Sequence, residues 1–211
     1  MNPTISRLGP RGKISLLQAI RNPLCTKCEL HTHSHNVCIM GRGNTMSKLM
    51  LVGEAPGAAE AEHGRPFCGP SGQWMQRMID RLGLTNHCYI TNAVRCRPPN
   101  NRAPTAVERR ACRQYLIEEF YVVRPKILVL LGRTACESAG LGPLPRFEIL
   151  QPEQSPAWLS STMTPVIHLW HPSYVLRMGG PSEETRTSKQ FEHGLRLAAE
   201  YAGFTGVMPQ V

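Results

Sequence analysis

Residues 49–57 read LMLVGEAPG, and this stretch decides the fold of the chain. Four consecutive apolar residues bounded by glycine predict a buried strand, and the Gly and Pro that follow predict a turn. A second apolar run, VIHLW at residues 166–170, leads directly into His171-Pro172-Ser173. Two polar clusters therefore follow the carboxyl ends of two strands, which is where open α/β sheets form their ligand crevice.

Strands and helices alternate along the rest of the chain. Strands are predicted at 48–53, 87–92, 127–131 and 166–170, and helices at 14–21, 71–82, 105–122, 134–139 and 187–201. Thr105 and Glu108 have the spacing of a capping box at the start of the third helix. Residues 140–164 are rich in Pro and Ser and predict a long loop. The alternation indicates a parallel sheet covered by helices on both faces.

Composition and charge limit the classes of function. With 211 residues, 41% of them hydrophobic, the chain is expected to form one domain over residues 1–211 with a substantial core. Lys and Arg total 24 against 15 Asp and Glu, and the net charge of +9 favours a nucleic acid or another polyanion as partner. A basic surface without such a partner is the alternative.

Membrane and secretory signals are not evident in the sequence. No apolar run approaches the about 20 residues needed to span a bilayer. The basic N-terminus is not followed by a long apolar segment, as a secretory signal would be. We therefore expect a cytoplasmic protein that is not associated with a membrane.

Four of the eight cysteines have a spacing that suggests ligation. In a reducing compartment a disulfide framework is not expected. Cys25 and Cys28 form a Cys-x-x-Cys pair, and Cys96 and Cys112 lie far downstream. Four thiolates suit tetrahedral zinc or a [4Fe–4S] cluster, and the spacing does not choose between them. A redox pair or a chance spacing is the alternative for the Cys-x-x-Cys motif.

The other four cysteines are expected to be small buried hydrophobes. They are Cys38, Cys68, Cys88 and Cys136. Cys38 differs because His31, His33 and His35 lie near it in the sequence. A His/Cys metal site there is the second interpretation, although a surface histidine tract is commoner.

Nine motifs together resemble a known family. They are Cys25-x-x-Cys28, GEAPG at 53–57, GRPF at 64–67, YITN at 89–92, CRPP at 96–99, Asn101-Arg102-x-Pro104, Cys112, Leu131-Gly132 and His171-Pro172-Ser173. Their order and spacing resemble those of the iron–sulfur (family 4) uracil-DNA glycosylases over residues 24–200. The resemblance implies a three-layer α/β/α sandwich with a central four-stranded parallel sheet. It also implies a structural [4Fe–4S] cluster on the four spaced cysteines, and hydrolysis of the N-glycosidic bond of deoxyuridine in DNA.

The resemblance implies a pocket for a base that has left the duplex stack. Phe67 would stack on the base and Asn92 would read its edge with a donor and an acceptor. The backbone N–H groups of Glu54 and Ala55 would also contact the base. An ordinary core position is the alternative for Phe67, and a turn-forming role is the alternative for Asn92.

The same resemblance assigns the chemistry to two residues. His171 would donate a hydrogen bond to O2 of the departing base as negative charge grows there. Glu54 would orient or polarise the attacking water. In a largely dissociative path Glu54 contributes less than its position suggests. His168, inside the strand, is expected to be packed or hydrogen-bonded.

Two groups of residues are candidates for contact with DNA. Residues 173–177 resemble a loop that enters the minor groove, with an apolar wedge and with Arg177 meeting phosphate. The candidates in this segment are Ser173, Tyr174, Leu176 and Arg177. A helix start packed on the core is the alternative. The second group is basic and lies near the cluster loop; it comprises Arg95, Arg97 and Arg102, for which a solvated basic loop is the alternative.

Three hypotheses of function follow. The first is a monomeric uracil-DNA glycosylase of base-excision repair, acting on single- or double-stranded DNA. The second is the same chemistry on a 5-substituted pyrimidine, in defence against phage DNA. It is motivated by Ala61, Cys68 and the 140–164 segment, which depart from the family pattern. The third is a non-catalytic iron–sulfur module that binds DNA or senses redox state.

Overall fold

The computed structural model describes residues 5–179 and 184–204, and six strands and nine α-helices lie in that part of the chain. The strands are β1 Arg42–Gly43, β2 Leu49–Gly53, β3 Cys88–Asn92, β4 Ile127–Leu131, β5 Ile149–Leu150 and β6 Val166–Leu169. The helices are α1 Pro10–Ile20, α2 Leu30–His33, α3 Ala58–His63, α4 Pro70–Arg81, α5 Ala106–Val123, α6 Arg133–Ala139, α7 Ala157–Ser160, α8 Pro172–Gly179 and α9 Arg186–Tyr201. None of the helices in the described ranges is long and apolar enough to span a bilayer.

The strands form one mixed sheet in the order β1-β3-β2-β4-β6-β5. The four central strands are parallel, as predicted, and Gly53 of β2 lies opposite Asn92 of β3. The sheet is larger than the predicted central four strands, because β1 and β5 add antiparallel edges. Each edge strand has only two residues, so neither produces the alternating pattern by which a strand is recognised.

The core lies on both faces of this sheet, because the side chains of successive strand residues point to opposite sides. On one face the sheet packs against Trp74 of α4 and Phe191 of α9. On the other face it packs against Leu116 and Phe120 of α5. All four central strands are buried along their whole length. The three-layer α/β/α sandwich is therefore confirmed.

Two segments differ from the sequence-based expectation. The predicted loop at 140–164 contains β5, a short 3-10 helix at Pro152–Gln154 and helix α7. Trp158 anchors this segment, because its indole N–H donates to the Ala139 carbonyl at 3.0 Å and its ring meets Phe120 edge-on. The segment 173–177 is part of helix α8 rather than a loop. Pro172 begins this helix, a position where proline is favoured.

The cysteine-containing segments pack together at one side of the sandwich. Residues of the N-terminal segment, the connection after β3 and helix α5 form one buried cluster. The predicted capping box is present at the start of α5. The Thr105 hydroxyl accepts from the Glu108 backbone N–H, and the Glu108 carboxylate accepts from the Thr105 backbone N–H. The start of α5 is thereby fixed beside the connection that follows β3.

Candidate active site

A cavity of about 650 Å³ opens at the carboxyl ends of β2 and β3. We call it the strand-end cavity. Eight of the residues singled out in the sequence line it: Glu54, Ala55, Phe67, Asn92, Arg102, His171, Ser173 and Arg177. They come from five separate stretches of the chain and meet because parallel strands end at one edge of the sheet.

Phe67 forms one wall of the strand-end cavity. It lies in the turn before α4 with φ at 53°, a left-handed conformation that is uncommon for an aromatic residue. Its ring centroid lies 6.1 Å from that of His171, with the two planes inclined by 32°. The side chain also packs on the core, so Phe67 is a core aromatic and a cavity wall at the same time.

Gly53 creates the space in which Phe67 and Asn92 meet. A Cβ at this position would lie 2.3 Å from Phe67 Cζ and 2.6 Å from Asn92 Oδ1. No side chain other than hydrogen fits there without moving both neighbours. The glycine that ends β2 is therefore needed for the shape of the cavity as well as for the turn.

We expect Gly53→Ala to reduce activity far more than it reduces stability, because the added methyl group displaces the cavity wall and the amide together. A loss of about 100-fold in kcat/KM is expected for a site misplaced by about 1 Å. Gly142→Ala is the matched control, since nothing lies within 4 Å of a Cβ there. Equal activity of the two variants would contradict this role for Gly53.

Asn92 presents an unsatisfied acceptor. The residue is only 3% exposed, and its buried Oδ1 atom has no hydrogen-bond partner among the residues that the structure describes. Buried polar atoms in this state are rare in native proteins, because each lacks the hydrogen bond that water would supply. The position of Asn92 at the end of β3, beside Phe67, makes a ligand with an N–H group the natural partner.

His171 is held in one tautomer. Its Nδ1 accepts a hydrogen bond from the Ser173 backbone N–H at 3.2 Å, and the Ser173 hydroxyl lies 2.7 Å from the same nitrogen. Since a backbone N–H can only donate, Nδ1 carries no proton and Nε2 does. Burial, and secondarily the charge of Arg177, lower the pKa of His171 to about 4. The ring is therefore a neutral Nε2–H donor at neutral pH.

Glu54 is positioned by a residue that the sequence did not indicate. The Thr134 hydroxyl, in the first turn of α6, donates to Glu54 Oε2 at 2.5 Å. The two residues are 80 positions apart, and no local pattern connects them. The carboxylate is only half-buried and lines the cavity, so it can contact a water molecule there.

Glu60 ties together the two turns that flank the strand-end cavity. Its Oε1 accepts from the Gly69 backbone N–H at 2.8 Å, and its Oε2 accepts from the Gly57 backbone N–H at 3.1 Å. Gly57 belongs to the turn after β2 and Gly69 to the turn that carries Phe67. The sequence did not indicate this role for Glu60. The residue is buried in α3, and carboxylates are rarely buried unless they have partners of this kind.

Arg102 and Arg177 are the basic residues at the strand-end cavity. Arg102 donates two hydrogen bonds to the Glu108 carboxylate, at 2.8 and 2.6 Å, and this pair lowers the pKa of Glu108 to about 2. Its side chain remains 43% exposed. Arg97 does not line the cavity, and its Nε donates to Asn101 Oδ1 at 2.8 Å.

The rest of the 173–177 segment lies away from the cavity lining. Tyr174 stacks on Trp170 with ring centroids 4.6 Å apart. Leu176 is partly buried and packs against the core, and Val175 is fully buried. The structure thus brings Ser173 and Arg177 to the cavity, whereas Tyr174 and Leu176 lie on other faces of α8.

These features have counterparts in known proteins. The model of the uracil DNA glycosylase superfamily matches residues 40–195. The chain belongs to that superfamily. A type-4 uracil-DNA glycosylase of Thermotoga maritima is 38% identical over 155 residues, which cover 72% of this chain and 78% of that protein. A type-4 enzyme of Pyrobaculum aerophilum is 44% identical over 118 residues, which cover 56% of this chain and 59% of that protein.

The similarity extends more weakly to another branch of the superfamily. A type-5 uracil-DNA glycosylase of Pyrobaculum aerophilum is 39% identical over 109 residues, which cover 44% of this chain and 48% of that protein. The longer matches, at 38% to 45% identity, place this chain with the type-4 proteins. The matched segments span just over half the length of several type-4 relatives.

Cysteine side chains line a second cavity of the protein. The four cysteines predicted to be ligands line it, and so does a fifth; they are Cys25, Cys28, Cys96, Cys112 and Cys38. We call it the cysteine cavity. Lys27, His31, Arg95 and Tyr115 complete its wall. Within residues 5–179 and 184–204, no three His, Cys, Asp or Glu side chains are close enough together to hold a single metal ion.

The thiols of the cysteine cavity interact with one another. A hydrogen bond between Cys28 and Cys112 lowers the pKa of Cys28 to about 6 and raises that of Cys112. Cys38 was expected to be a buried hydrophobe; it is buried, yet its Sγ accepts from the Asn22 backbone N–H at 3.5 Å in this same wall. His33 and His35 are not part of the wall.

Two further sequence expectations are corrected here. Arg95 was a candidate for phosphate contact with a solvated loop as the alternative, and neither applies: it is 1% exposed and pairs with Glu119 at 2.6 Å. Cys68 was expected to be buried, but it is half-exposed in the turn that carries Phe67. Cys88 and Cys136 are buried as predicted, and so is His168, whose Nδ1 lies 3.2 Å from the Leu144 carbonyl.

Proposed function

We propose that this protein is a uracil-DNA glycosylase that acts as one domain and hydrolyses the N-glycosidic bond of deoxyuridine, leaving an abasic site. The observation that carries the proposal is the strand-end cavity, where Phe67, Asn92 and His171 meet. The type-4 relatives support it, because each of those proteins is named a uracil-DNA glycosylase. They do not favour the 5-substituted pyrimidine or the non-catalytic alternative.

Uracil matches the hydrogen-bonding groups of Asn92. The base presents a donor at N3 and an acceptor at O4, and the amide presents an acceptor and a donor at matching spacing. The unpartnered Oδ1 would accept from N3–H, while Nδ2 donates to O4. Cytosine has no N3–H, so it leaves Oδ1 unsatisfied in this orientation. Stacking on Phe67 would supply the apolar part of the binding free energy.

His171 and Glu54 would share the chemistry. The C1′–N1 bond breaks and its electrons remain on the uracil ring, so negative charge develops at O2. The Nε2–H of neutral His171 donates to that oxygen, and the donor is fixed in place before the reaction because Ser173 holds Nδ1. Water then adds its oxygen to C1′, and its proton passes to Glu54 or to bulk water.

Contact with DNA is proposed for residues around the cavity mouth. Arg177 and Arg102 would neutralise phosphates on the two sides of the extruded nucleotide, with Arg97 further along the strand. Ser173, Tyr174 and Leu176 in α8 would approach the minor groove. The net charge of +9 supports a polyanionic partner. We propose that the protein works as a monomer in the cytoplasm, at the nucleoid.

We propose further that Cys25, Cys28, Cys96 and Cys112 hold a [4Fe–4S] cluster. The donor set fits, because four thiols from three segments converge on one cavity, and soft sulfur ligands suit iron–sulfur clusters. The cluster would cross-link the N-terminal segment, the connection after β3 and helix α5.

The cofactor proposal predicts a brown protein when it is purified without oxygen, with about four iron and four sulfide per chain. Cys112→Ser should lose iron and unfold at a lower temperature, because the cross-link between α5 and the N-terminal segment is lost. Cys136→Ser, at a buried cysteine of α6 outside the cysteine cavity, is the control and should keep its iron. Stoichiometric zinc in place of iron would contradict the proposal.

The activity itself is tested with a labelled oligonucleotide that contains one deoxyuridine. Incubation with protein that carries its full iron content, followed by alkali, should cut the strand at that position. An oligonucleotide with thymidine at the same place should remain intact. If the iron-loaded protein left the uracil strand intact at micromolar concentration, the proposed function would be wrong.

A further inference from the structure

We propose that Arg95 donates its Nε–H to a sulfur atom of the iron–sulfur cluster and supplies the buried positive charge that balances the cluster. Arg95 is then a positioning residue that connects the cluster to the strand carrying Asn92. The inference rests on the cluster proposed above, and its test distinguishes a failure of the inference from a failure of the cluster proposal.

One nitrogen of the Arg95 side chain has no hydrogen-bond partner among the described residues. Its guanidinium is 1% exposed; Nη1 donates to the Thr91 hydroxyl, and Nη2 donates to Glu119 Oε2 at 2.6 Å. Its Nε is buried and has no hydrogen-bond partner within the described residues. Leaving a buried N–H of a charged group unpaired is costly, so the structure around it is expected to provide an acceptor.

The acceptor that the surroundings offer is sulfur. Arg95 lines the cysteine cavity beside the four thiols proposed as ligands. Groups outside the first ligands commonly donate hydrogen bonds to the ligand atoms and set the properties of a metal centre. A cluster with four thiolates carries net negative charge, which a guanidinium in this position offsets.

Glu119 does not remove the need for a partner at Nε. Its carboxylate also accepts from the Tyr89 hydroxyl at 3.0 Å, the Thr91 hydroxyl at 2.7 Å and the Gly41 backbone N–H at 2.7 Å. The negative charge of the Glu119 carboxylate is therefore stabilised by these donors as well as by Arg95. Glu119 therefore holds Nη2 directly and Nη1 through the Thr91 hydroxyl, and among the described residues Nε is the one side-chain nitrogen of Arg95 without an acceptor.

This network reaches the base-reading strand. Thr91 directly precedes Asn92 in β3, and Arg95 directly precedes Cys96. Glu119 lies seven residues after Cys112 in α5, which is two helical turns along one face. Hydrogen bonds would therefore connect the cluster to the Arg95 guanidinium and the guanidinium to the Thr91 hydroxyl. Only these two groups would separate the proposed cofactor from Asn92.

The experiment compares four variants with the wild type: Arg95→Met/Glu119→Gln, Glu119→Gln, Arg95→Lys and Arg113→Met. The double variant removes both charges together, so that no buried carboxylate is left unpaired. Arg113 is the matched control, because it lies in α5, outside the cysteine cavity, and donates to the Ser138 and Glu137 carbonyls. The readouts are iron content, the reduction potential of the cluster by protein-film voltammetry, and the rate of iron loss to a chelator.

The double variant should have a more negative reduction potential and lose iron about ten-fold faster, since it lacks one charged hydrogen bond. Glu119→Gln should shift the potential in the opposite direction, because it removes only negative charge. Arg113→Met should match the wild type. If the double variant does not fold, Arg95→Lys carries the test. The single nitrogen of an ammonium group cannot occupy the three separate positions from which the guanidinium nitrogens reach Thr91, Glu119 and sulfur, so faster iron loss is expected.

Two results would overturn the inference. In the first, the wild type contains iron, but the variants have the same reduction potential and the same rate of iron loss. Arg95 then does not interact with the cluster, whereas the cofactor proposal remains valid. A wild type purified anaerobically without iron would remove the cofactor proposal, and this inference with it. Activity toward uracil is not used as a readout in either case.

Discussion

The Asn92→Asp variant will release uracil at least about 10³-fold more slowly than the wild type. A carboxylate can only accept hydrogen bonds, so it faces the O4 acceptor of uracil with a second acceptor. It also places a negative charge where the residue is only 3% exposed, next to a leaving group that becomes negative. A site that hydrogen-bonds its substrate discriminates strongly once that pairing is lost.

The measurement is single-turnover release of uracil from duplex DNA, which reports the chemical step. Asn86→Asp is the control, because Asn86 is exposed and lies just before the other end of β3. Melting temperatures within a few degrees of each other would show that both variants fold. A release rate for Asn92→Asp within ten-fold of the wild type would mean that Asn92 does not read the base.

His171→Ala should lower kcat by about 10²- to 10³-fold, the usual cost of removing one fixed donor to a developing oxyanion. KM should change little, because the hydrogen bond strengthens as charge forms rather than when substrate binds. His171→Gln keeps an N–H donor and should recover part of the lost rate. His63→Ala, at an exposed histidine of α3, serves as the control. A wild-type kcat in His171→Ala would contradict the assignment.

The lowered pKa of His171 also predicts how stability depends on pH. Its pKa is about 4 in the folded protein and about 6.5 in the unfolded chain, so the unfolded state binds more protons between these values. This contribution to stability is complete above pH 6.5 and is lost as the pH falls toward 4. The melting temperature of His171→Gln should therefore fall less than that of the wild type over this range. Parallel curves for the two proteins would contradict the lowered pKa.

Much of the fold could be predicted from local sequence. The central strands are buried apolar runs, and the strand ends carry the polar residues that meet in the strand-end cavity. The capping box at Thr105 and Glu108 fixed the start of α5. These features depend on residues close together in the sequence. The edge strands β1 and β5 do not, because two residues gain their strand conformation only from pairing with β3 and β6.

The parts of the site that were missed depend on contacts between distant residues. Thr134 holds Glu54 across 80 residues, and Glu60 joins two turns through backbone N–H groups. Arg95 lies in an arginine-rich loop, and only the fold shows that its side chain turns inward to Glu119. A charged residue in a loop has the same local pattern whether it faces solvent or a buried partner. The resemblance to a known family identified the residues proposed to contact the base, but it did not identify the residues that hold them in position.

The most direct test of the account is a mass-spectrometric survey of the bases released by the iron-loaded protein. The substrate would be a mixture of DNAs containing uracil, thymine, cytosine and 5-substituted pyrimidines in equal amounts. The strand-end cavity described here predicts free uracil as the dominant product, with none of it released by the Asn92→Asp protein under the same conditions. Release of a different base in preference to uracil, or of no base at all, would contradict the central claim.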